Sequence, residues 1–293
     1  MQKKTFNMGV AYDVLNTSLL LLLSLITLYP LLYVLFASFS DSNMLAGHGG
    51  LLHKPLGFTI ASYRYVFRNS SIWIGYGNTI LYVVFGTMLS LAMTTLGAYV
   101  TSCKDFFWTK YIMPYMVFTM FFSGGLIPTF LVVKGLGLYD NPLALLLPSC
   151  ISTWNLIIMR TFFSGIPRSL KESTKIDGAN EWIILTRIIL PLSGSVIAVM
   201  ILYYAVGLWN GWFNAMIYLR NRSLFPLQLF LREILISNSG DDMVLGINDA
   251  ERQTISESIK YATIIVSTLP ILTIYPLLQK HFVKGVMIGA VKG

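Results

Sequence analysis

The sequence predicts an all-α, polytopic membrane protein with six transmembrane helices. Three observations carry this. The 293 residues are 55% hydrophobic and only 12% charged, about half the charged share of a soluble domain. The apolar residues are gathered in six windows, 14–40, 69–103, 111–133, 141–159, 188–219 and 261–279, and none of them contains an Asp, Glu, Lys or Arg. Each window reaches the ~17–25 residues that a helix needs to cross the hydrocarbon core. A soluble chain of this length could bury one or two such helices in its core, but not six.

Taken in order, residues 1–13 form a short basic start carrying Lys3 and Lys4. The first window is longer than the ~7–15 apolar residues of a signal peptide and reads as an uncleaved helix. Residues 41–68, with Gly47, Gly49, Gly50 and Pro55, read as an outer segment that is mostly loop. A basic turn at 103–110 joins helices two and three, and 134–140 joins three and four. The windows 69–103 and 188–219 exceed one perpendicular span, so each is tilted or runs on along the surface. The polar segment 220–260 reads as a long outer loop and 280–293 as a basic tail. Aromatics near the window ends, among them Tyr29, Trp73, Trp108 and Trp212, suit the headgroup zone.

The net charge of +8 does not point to nucleic acid. With both termini in the cytoplasm, the inner segments hold 12 Lys/Arg and 5 Asp/Glu, and the outer segments hold 9 and 8. This favours that orientation by a small margin. Cys103 and Cys150 would lie at different depths, so no disulfide is expected, and no spacing suits a metal.

The segment 160–187 is the polar interval richest in local signals. Ser169-Leu170-Lys171-Glu172 fits a capping box and Pro167 suits a helix entry. The helix would run to about Asp177, with Gly178 supplying a left-handed break. Asn180 can cap a second helix in which Trp182, Leu185 and Ile189 share a face. By local physics alone this is an ordinary amphipathic surface hairpin, in which Glu172 and Asp177 offer acidic contacts and Ser173, Gly178 and Ala179 leave room for another backbone.

Glu172-Ser173-Thr174-Lys175-Ile176-Asp177-Gly178-Ala179, with Leu190-Pro191 beyond it, resembles the EAA loop of ABC importer permeases. Ser173 and Thr174 stand where that family has two alanines. Further likeness to carbohydrate permeases of the maltose-transporter type lies in Lys134–Asp140, in Arg160–Phe163 with Ile166-Pro167, in Trp209-Asn210 with Phe213, and in the tail from Gln279 to Gly293. The likeness covers roughly residues 70–293.

The resemblance implies the MetI-like fold of type I ABC importers. It divides the chain into an N-terminal segment 1–70, a permease core 71–280 with its coupling loop at 166–191, and a cytoplasmic tail 281–293. It implies a multi-pass subunit of the bacterial inner membrane that moves a carbohydrate, an oligosaccharide by family habit, and is not an enzyme. The expected partners are a second homologous permease subunit, two ATPase subunits that hold the ATP and Mg, an extracytoplasmic solute-binding protein, and membrane lipid. The chain itself is expected to bind no cofactor. Glu172, Ser173, Thr174, Asp177, Gly178, Ala179 and Pro191 would couple to the ATPase.

Two absences agree with this. No charge lies inside a window, as a proton-coupled carrier usually requires, and no Gly-Lys dipeptide allows a P-loop. Sugars are held by aromatic faces and neutral polar groups, so Trp154, Asn155, Trp209, Asn210, Trp212 and Asn214 are the substrate-path candidates, with Tyr115, Phe121 and Phe122 beside them. The same residues also suit interfacial anchors and interhelical hydrogen bonds. On a continuous helix Trp209 would lie ~27 Å from Pro191, near the outer side. A permease for a peptide or polyamine and a proton-linked secondary carrier remain as alternatives. A membrane-embedded enzyme would need an intramembrane Asp pair or His cluster, and neither occurs.

Overall fold

The computed structural model describes residues 8–103, 105–236 and 249–290. The described residues form helices and connecting turns, arranged in two compact units. One comprises Met1–Asn69 and Glu233–Thr268; the other comprises Ser70–Arg232 and Leu269–Gly293.

In the first unit, α1 (Met8–Ser38) is a continuous helix, and its stretch Tyr12–Ser38 buries none of its most apolar window against protein. A helix that is apolar all round and unpacked is suited to lipid. Segment 41–68, expected to be mostly loop, is more ordered than that. It forms α2 (Ser42–Ala46), capped by Asp41, whose carboxylate accepts from the Asn43 and Met44 N–H groups, and α3 (Ala61–Arg68). Three links pin it to the end of α1: the Leu52 N–H donates to the Tyr29 hydroxyl at 2.9 Å, the Leu56 N–H to Ser40 Oγ at 3.0 Å, and Phe39 stacks on Phe58. Glycines alone do not make a loop where backbone groups find such partners.

The second unit is built on α4 (Ser70–Ser102), a single helix of 33 residues and about 50 Å. Its buried face is small and hydroxylated: Gly75, Thr79, Gly86, Ser90, Thr94, Thr95, Ala98. Its exposed face carries Trp73, Ile80, Leu81, Phe85 and Met88. Helices in lipid associate by close backbone approach, so small residues mark the packed face and large apolar ones face the lipid. The partners on that face are α8 (Thr153–Ser164) and α12 (Gly194–Trp209). Thr94 and Tyr204 share a buried hydrogen bond of 2.6 Å between α4 and α12.

The apolar windows do not all become straight helices. The third is a bent pair, α5 (Thr109–Phe121) and α6 (Leu126–Gly135), turned by 117°. Gly125, at φ 85° and ψ −179°, makes the break in a conformation that essentially only glycine adopts. The fourth window is divided between α7 (Leu143–Leu146) and α8. The fifth turns by 85° between its Glu181–Leu192 arm and α12, so the straight path from Pro191 to Trp209 does not exist. Among the described residues, three continuous helices and the two bent pairs meet the length and hydropathy that a membrane crossing requires. Segment 220–260 is largely helical where described. A 3-10 turn at Arg222–Leu224 is followed by α14 (Leu227–Ile236), and α15 (Asp249–Ala290) carries the last window and most of the expected tail. Residues 237–248 and 291–293 lie outside the described residues.

Candidate functional site

The hairpin at 168–181 stands on a buried base. On its N-terminal side α8 ends at Gly165, and Phe163 and Ile166 enter a core shared with Ala98, Tyr99, Leu156 and Met159. On its C-terminal side Ile184, Leu185 and Ile189 enter the same core, which continues into Val196, Met200 and Tyr204 of α12. Between these anchors α9 (Arg168–Ile176) buries no residue at all, and Ile176 is 85% exposed. A helix with no core of its own holds its place through its ends and a few side-chain contacts.

Both ends follow from local chemistry. Pro167, extended at φ −53° and ψ 130°, enters the helix directly, and Arg168 is its first residue. The capping box expected at Ser169 therefore does not form: Ser169 already lies within the helix, and a proline entry presets φ without a hydroxyl cap. Ser173 and Thr174 return their hydroxyls to the Leu170 carbonyl at 3.3 and 2.6 Å. Gly178 ends the helix at φ 81°, with its N–H on the Lys175 carbonyl and the Ala179 N–H on the Thr174 carbonyl, a Schellman-like closure. Asn180 caps the next helix, α10 (Glu181–Ile184), by accepting from the Ile183 N–H at 2.9 Å. Trp182 does not share the surroundings of Leu185 and Ile189, with which helical spacing groups it; it is 62% exposed while Ile184, Leu185 and Ile189 are buried.

A π turn, Leu185–Ile189, follows, in which the Leu190 N–H reaches the Leu185 carbonyl. Pro191 has no N–H to give the Arg187 carbonyl, and the wider turn just ahead of it shifts the hydrogen-bond register locally. Glu172, Asp177 and Gly178 face outward, Ala179 is half-buried against the core, and Pro191 is exposed.

Side chains that sequence reasoning did not single out complete the site. The Lys175 ammonium meets Glu181 Oε1 at 2.7 Å, and the Tyr99 hydroxyl donates to Glu181 Oε2 at 2.5 Å. Lys171 stands 5.5 Å from the Tyr99 ring centroid. The Glu181 carboxylate raises the Lys175 ammonium above its ordinary value, chiefly through that hydrogen bond. Arg160 Nε donates to the Thr101 carbonyl at 2.9 Å, tying α8 to the last turn of α4. These groups border an open cleft of about 1240 Å³, whose cations Lys110, Arg160, Arg168, Lys171 and Lys175 outnumber Asp105, Glu172 and Glu181. The one sequence signal for this network was Glu181 next to a capping Asn. Tyr99 lies 82 residues away, beyond any local pattern.

The substrate-path candidates are not brought into one pocket. Trp209 is buried, 6% exposed, with its ring edge-on to Tyr76 at 6.2 Å. Asn155 is buried in the first turn of α8, while its neighbour Trp154 is exposed. Asn210, Trp212 and Asn214 are exposed where α12 ends and α13 (Phe213–Tyr218) begins, with Arg232 over the Trp212 ring at 4.8 Å. Tyr115, Phe121 and Phe122 are exposed on and beside α5.

Comparison with known proteins decides what this arrangement belongs to. Residues 93–288 match the model of the binding-protein-dependent transport system inner membrane component family. The chain belongs to that family. The permease is 41% identical to the polygalacturonan/rhamnogalacturonan transport system permease protein YtcP of Bacillus subtilis, over 96% of this chain and 98% of that one. It is 41% identical to protein LplC of the same organism, over 97% and 96%. A solved structure of a bacterial ABC transporter involved in the import of the acidic polysaccharide alginate contains a chain that superposes with TM-score 0.86 at 30% identity, covering 96% of the permease and all of that chain. The chain is thus an integral membrane transport subunit with the MetI-like fold, and it is not an enzyme.

Proposed function

We propose that this permease takes a carbohydrate, an oligosaccharide, from an extracytoplasmic binding protein and passes it into the cytoplasm, driven by separate ATPase subunits that dock on the 166–191 hairpin. The observation that carries the docking reading is α9. It is a nine-residue helix with no buried side chain, held between two segments that share one core. Such a helix presents Glu172, Ser173, Thr174, Asp177, Gly178 and Ala179 to a partner while its base moves with the membrane helices. The names of relatives, which concern polygalacturonan/rhamnogalacturonan, arabinooligosaccharides and alginate, support an oligosaccharide as cargo.

In this reading ATP and Mg reside in the ATPase subunits. A second, homologous permease subunit completes the path, both termini lie in the cytoplasm, and the membrane is the bacterial cytoplasmic one. Asn210, Trp212 and Asn214, exposed at the α12–α13 break, supply neutral polar and aromatic contacts to the sugar. Trp209, being buried against Tyr76, shapes that break from behind.

The test is a pull-down of the tagged permease from membranes that also express its genomic neighbours. The eluate is reconstituted in lipid and its ATPase activity measured with binding protein loaded from a panel of oligosaccharides, peptides and polyamines. A captured ATPase stimulated by an oligosaccharide supports the proposal. Stimulation by a peptide or polyamine instead would overturn the cargo, and capture unchanged by scrambling 172–179 would overturn the docking site.

A further inference from the structure

We infer that Tyr99, Glu181 and Lys175 form a polar strut that carries displacement of the docking helix α9 into the long helix α4. The inference rests on the docking reading above and adds the residues through which the force travels.

A push on α9 can reach the body of the unit through its covalent ends or through side chains. The covalent ends lead into the core at Ile166 on one side and into α10 through the left-handed Gly178 on the other. Pro167 meets α9 with no side-chain cap bond. Apolar packing offers no route, because α9 buries nothing.

A side-chain route starts from one face of α9. Lys171 and Lys175 are one helical turn apart and so project from the same side. Lys175 grips one oxygen of Glu181 at 2.7 Å, and the other oxygen takes the Tyr99 hydroxyl at 2.5 Å. Lys171 covers the Tyr99 ring at 5.5 Å. Tyr99 is 5% exposed and belongs to the last turns of α4, where its ring is part of the core under the hairpin. Charge-assisted hydrogen bonds to both oxygens of a carboxylate are short and directional, and here they run from α9 to the packed face of α4. The same core reaches Tyr204 of α12, whose hydroxyl bonds Thr94 of α4, so motion given to Tyr99 arrives at the two helices that pack most closely.

The ion pair is solvent-exposed on both sides and adds little to folding. Loss of the strut should therefore leave a folded, docked protein that fails in transmission. Tyr99 and Glu181 are positioning residues: neither is assigned to substrate or nucleotide.

The experiment uses the permease–ATPase complex in lipid nanodiscs, with an environment-sensitive fluorophore on a cysteine at Met88, an exposed position on α4, in a background lacking Cys103 and Cys150. Wild type should change fluorescence on trapping with ATP and vanadate. Tyr99→Phe, which lies outside the 166–191 hairpin, should keep ATPase capture and basal hydrolysis while the fluorescence change falls several-fold, and Glu181→Ala should show the same fall. Glu181→Gln, whose amide oxygen can still accept from the Tyr99 hydroxyl or the Lys175 ammonium, should retain more of the change than Glu181→Ala. An unaltered fluorescence change in both single variants would overturn the strut alone. Loss of ATPase capture by the variants would make these residues part of the docking surface and also overturn it. If wild type captures no ATPase, the docking reading fails and the strut falls with it.

Discussion

Asp140 holds the start of the 220–224 segment through one carboxylate oxygen, which accepts the N–H of Arg220 at 2.8 Å and of Asn221 at 2.9 Å. Its own N–H donates to the Tyr218 carbonyl at 2.8 Å, and its backbone is left-handed at φ 57°. The two backbone donors hold its carboxyl below the usual value. A depressed folded-state pKa contributes stability that is full above the unfolded value, about 3.9, and is lost as pH falls through the folded one. Asp140→Ala should therefore unfold at a lower temperature than wild type at pH 7, and the gap should close in acid. Intrinsic fluorescence melts across a pH series read this directly; a gap that stays constant would refute the assignment.

Two glycines of α4 should respond oppositely to alanine. A Cβ at Gly75 would stand 2.9 Å from the Leu227 Cα and from a Phe230 ring carbon, whereas one at Gly77 would meet nothing within 4 Å. Gly75→Ala should cost about 1–3 kcal/mol through overpacking against backbone. Gly77→Ala should stabilise by about 0.5–1 kcal/mol, because the helix interior favours alanine. Detergent-solubilised thermal unfolding of the two variants side by side is the measurement.

Asn78 donates to the Ser223 and Phe225 carbonyls at 2.7 and 3.0 Å, and the Tyr82 hydroxyl to the Leu224 carbonyl at 2.8 Å. Together they clamp the turn on α4. Asn78→Ala removes the donor to the part-buried Phe225 carbonyl and should cost about 1–3 kcal/mol. Proteolysis within 220–226 should rise in Asn78→Ala with Tyr82→Phe, and cleavage no faster than in wild type would count against the clamp.

Gly178 is free of steric neighbours yet left-handed. Gly178→Ala should cost about 1–2 kcal/mol from backbone strain alone. Gly178→Arg should insert normally and lose uptake, because the substitution falls on the proposed docking face. Membrane insertion measured beside radiolabelled oligosaccharide uptake separates the effects, and normal uptake by Gly178→Arg would remove the coupling role.

Trp209 and Asn210 are neighbours with different duties. Trp209→Ala empties a buried site and should cost about 3–5 kcal/mol. Asn210→Ala, at an exposed helix end, should stay within about 0.5 kcal/mol of wild type while weakening uptake. If Asn210→Ala transports normally and Trp154→Ala does not, the sugar path lies along α8 instead.

The permease shows unevenly which features a membrane sequence reveals. Pro167, Gly178 and Asn180 mark the ends of the two helices of the 166–191 hairpin by backbone chemistry confined to a few residues, so those ends are legible. The capping box was not formed, because Pro167 already started the helix. Trp182 is exposed while Leu185 and Ile189 are buried, and helical spacing alone does not say which side meets the core. The bends at Phe122–Gly125 and at Ser193 lie within uncharged windows and look like continuous spans, since hydropathy reports side-chain polarity and not the backbone conformation that turns the chain.

What the sequence by itself determined was the membrane class, the six apolar windows, the family and the hairpin at 166–191, because charge exclusion and short-range backbone rules act within a few residues. What only the tertiary structure decided was which residues meet across it: Tyr99 with Glu181, Asn78 with the 223–225 turn, Gly75 with Leu227. In water, hydrophobicity would have marked the inner face of each helix. In lipid the outward face is at least as apolar as the packed one, so partners across the fold are chosen by size and hydrogen bonding, which become visible only when the helices are side by side.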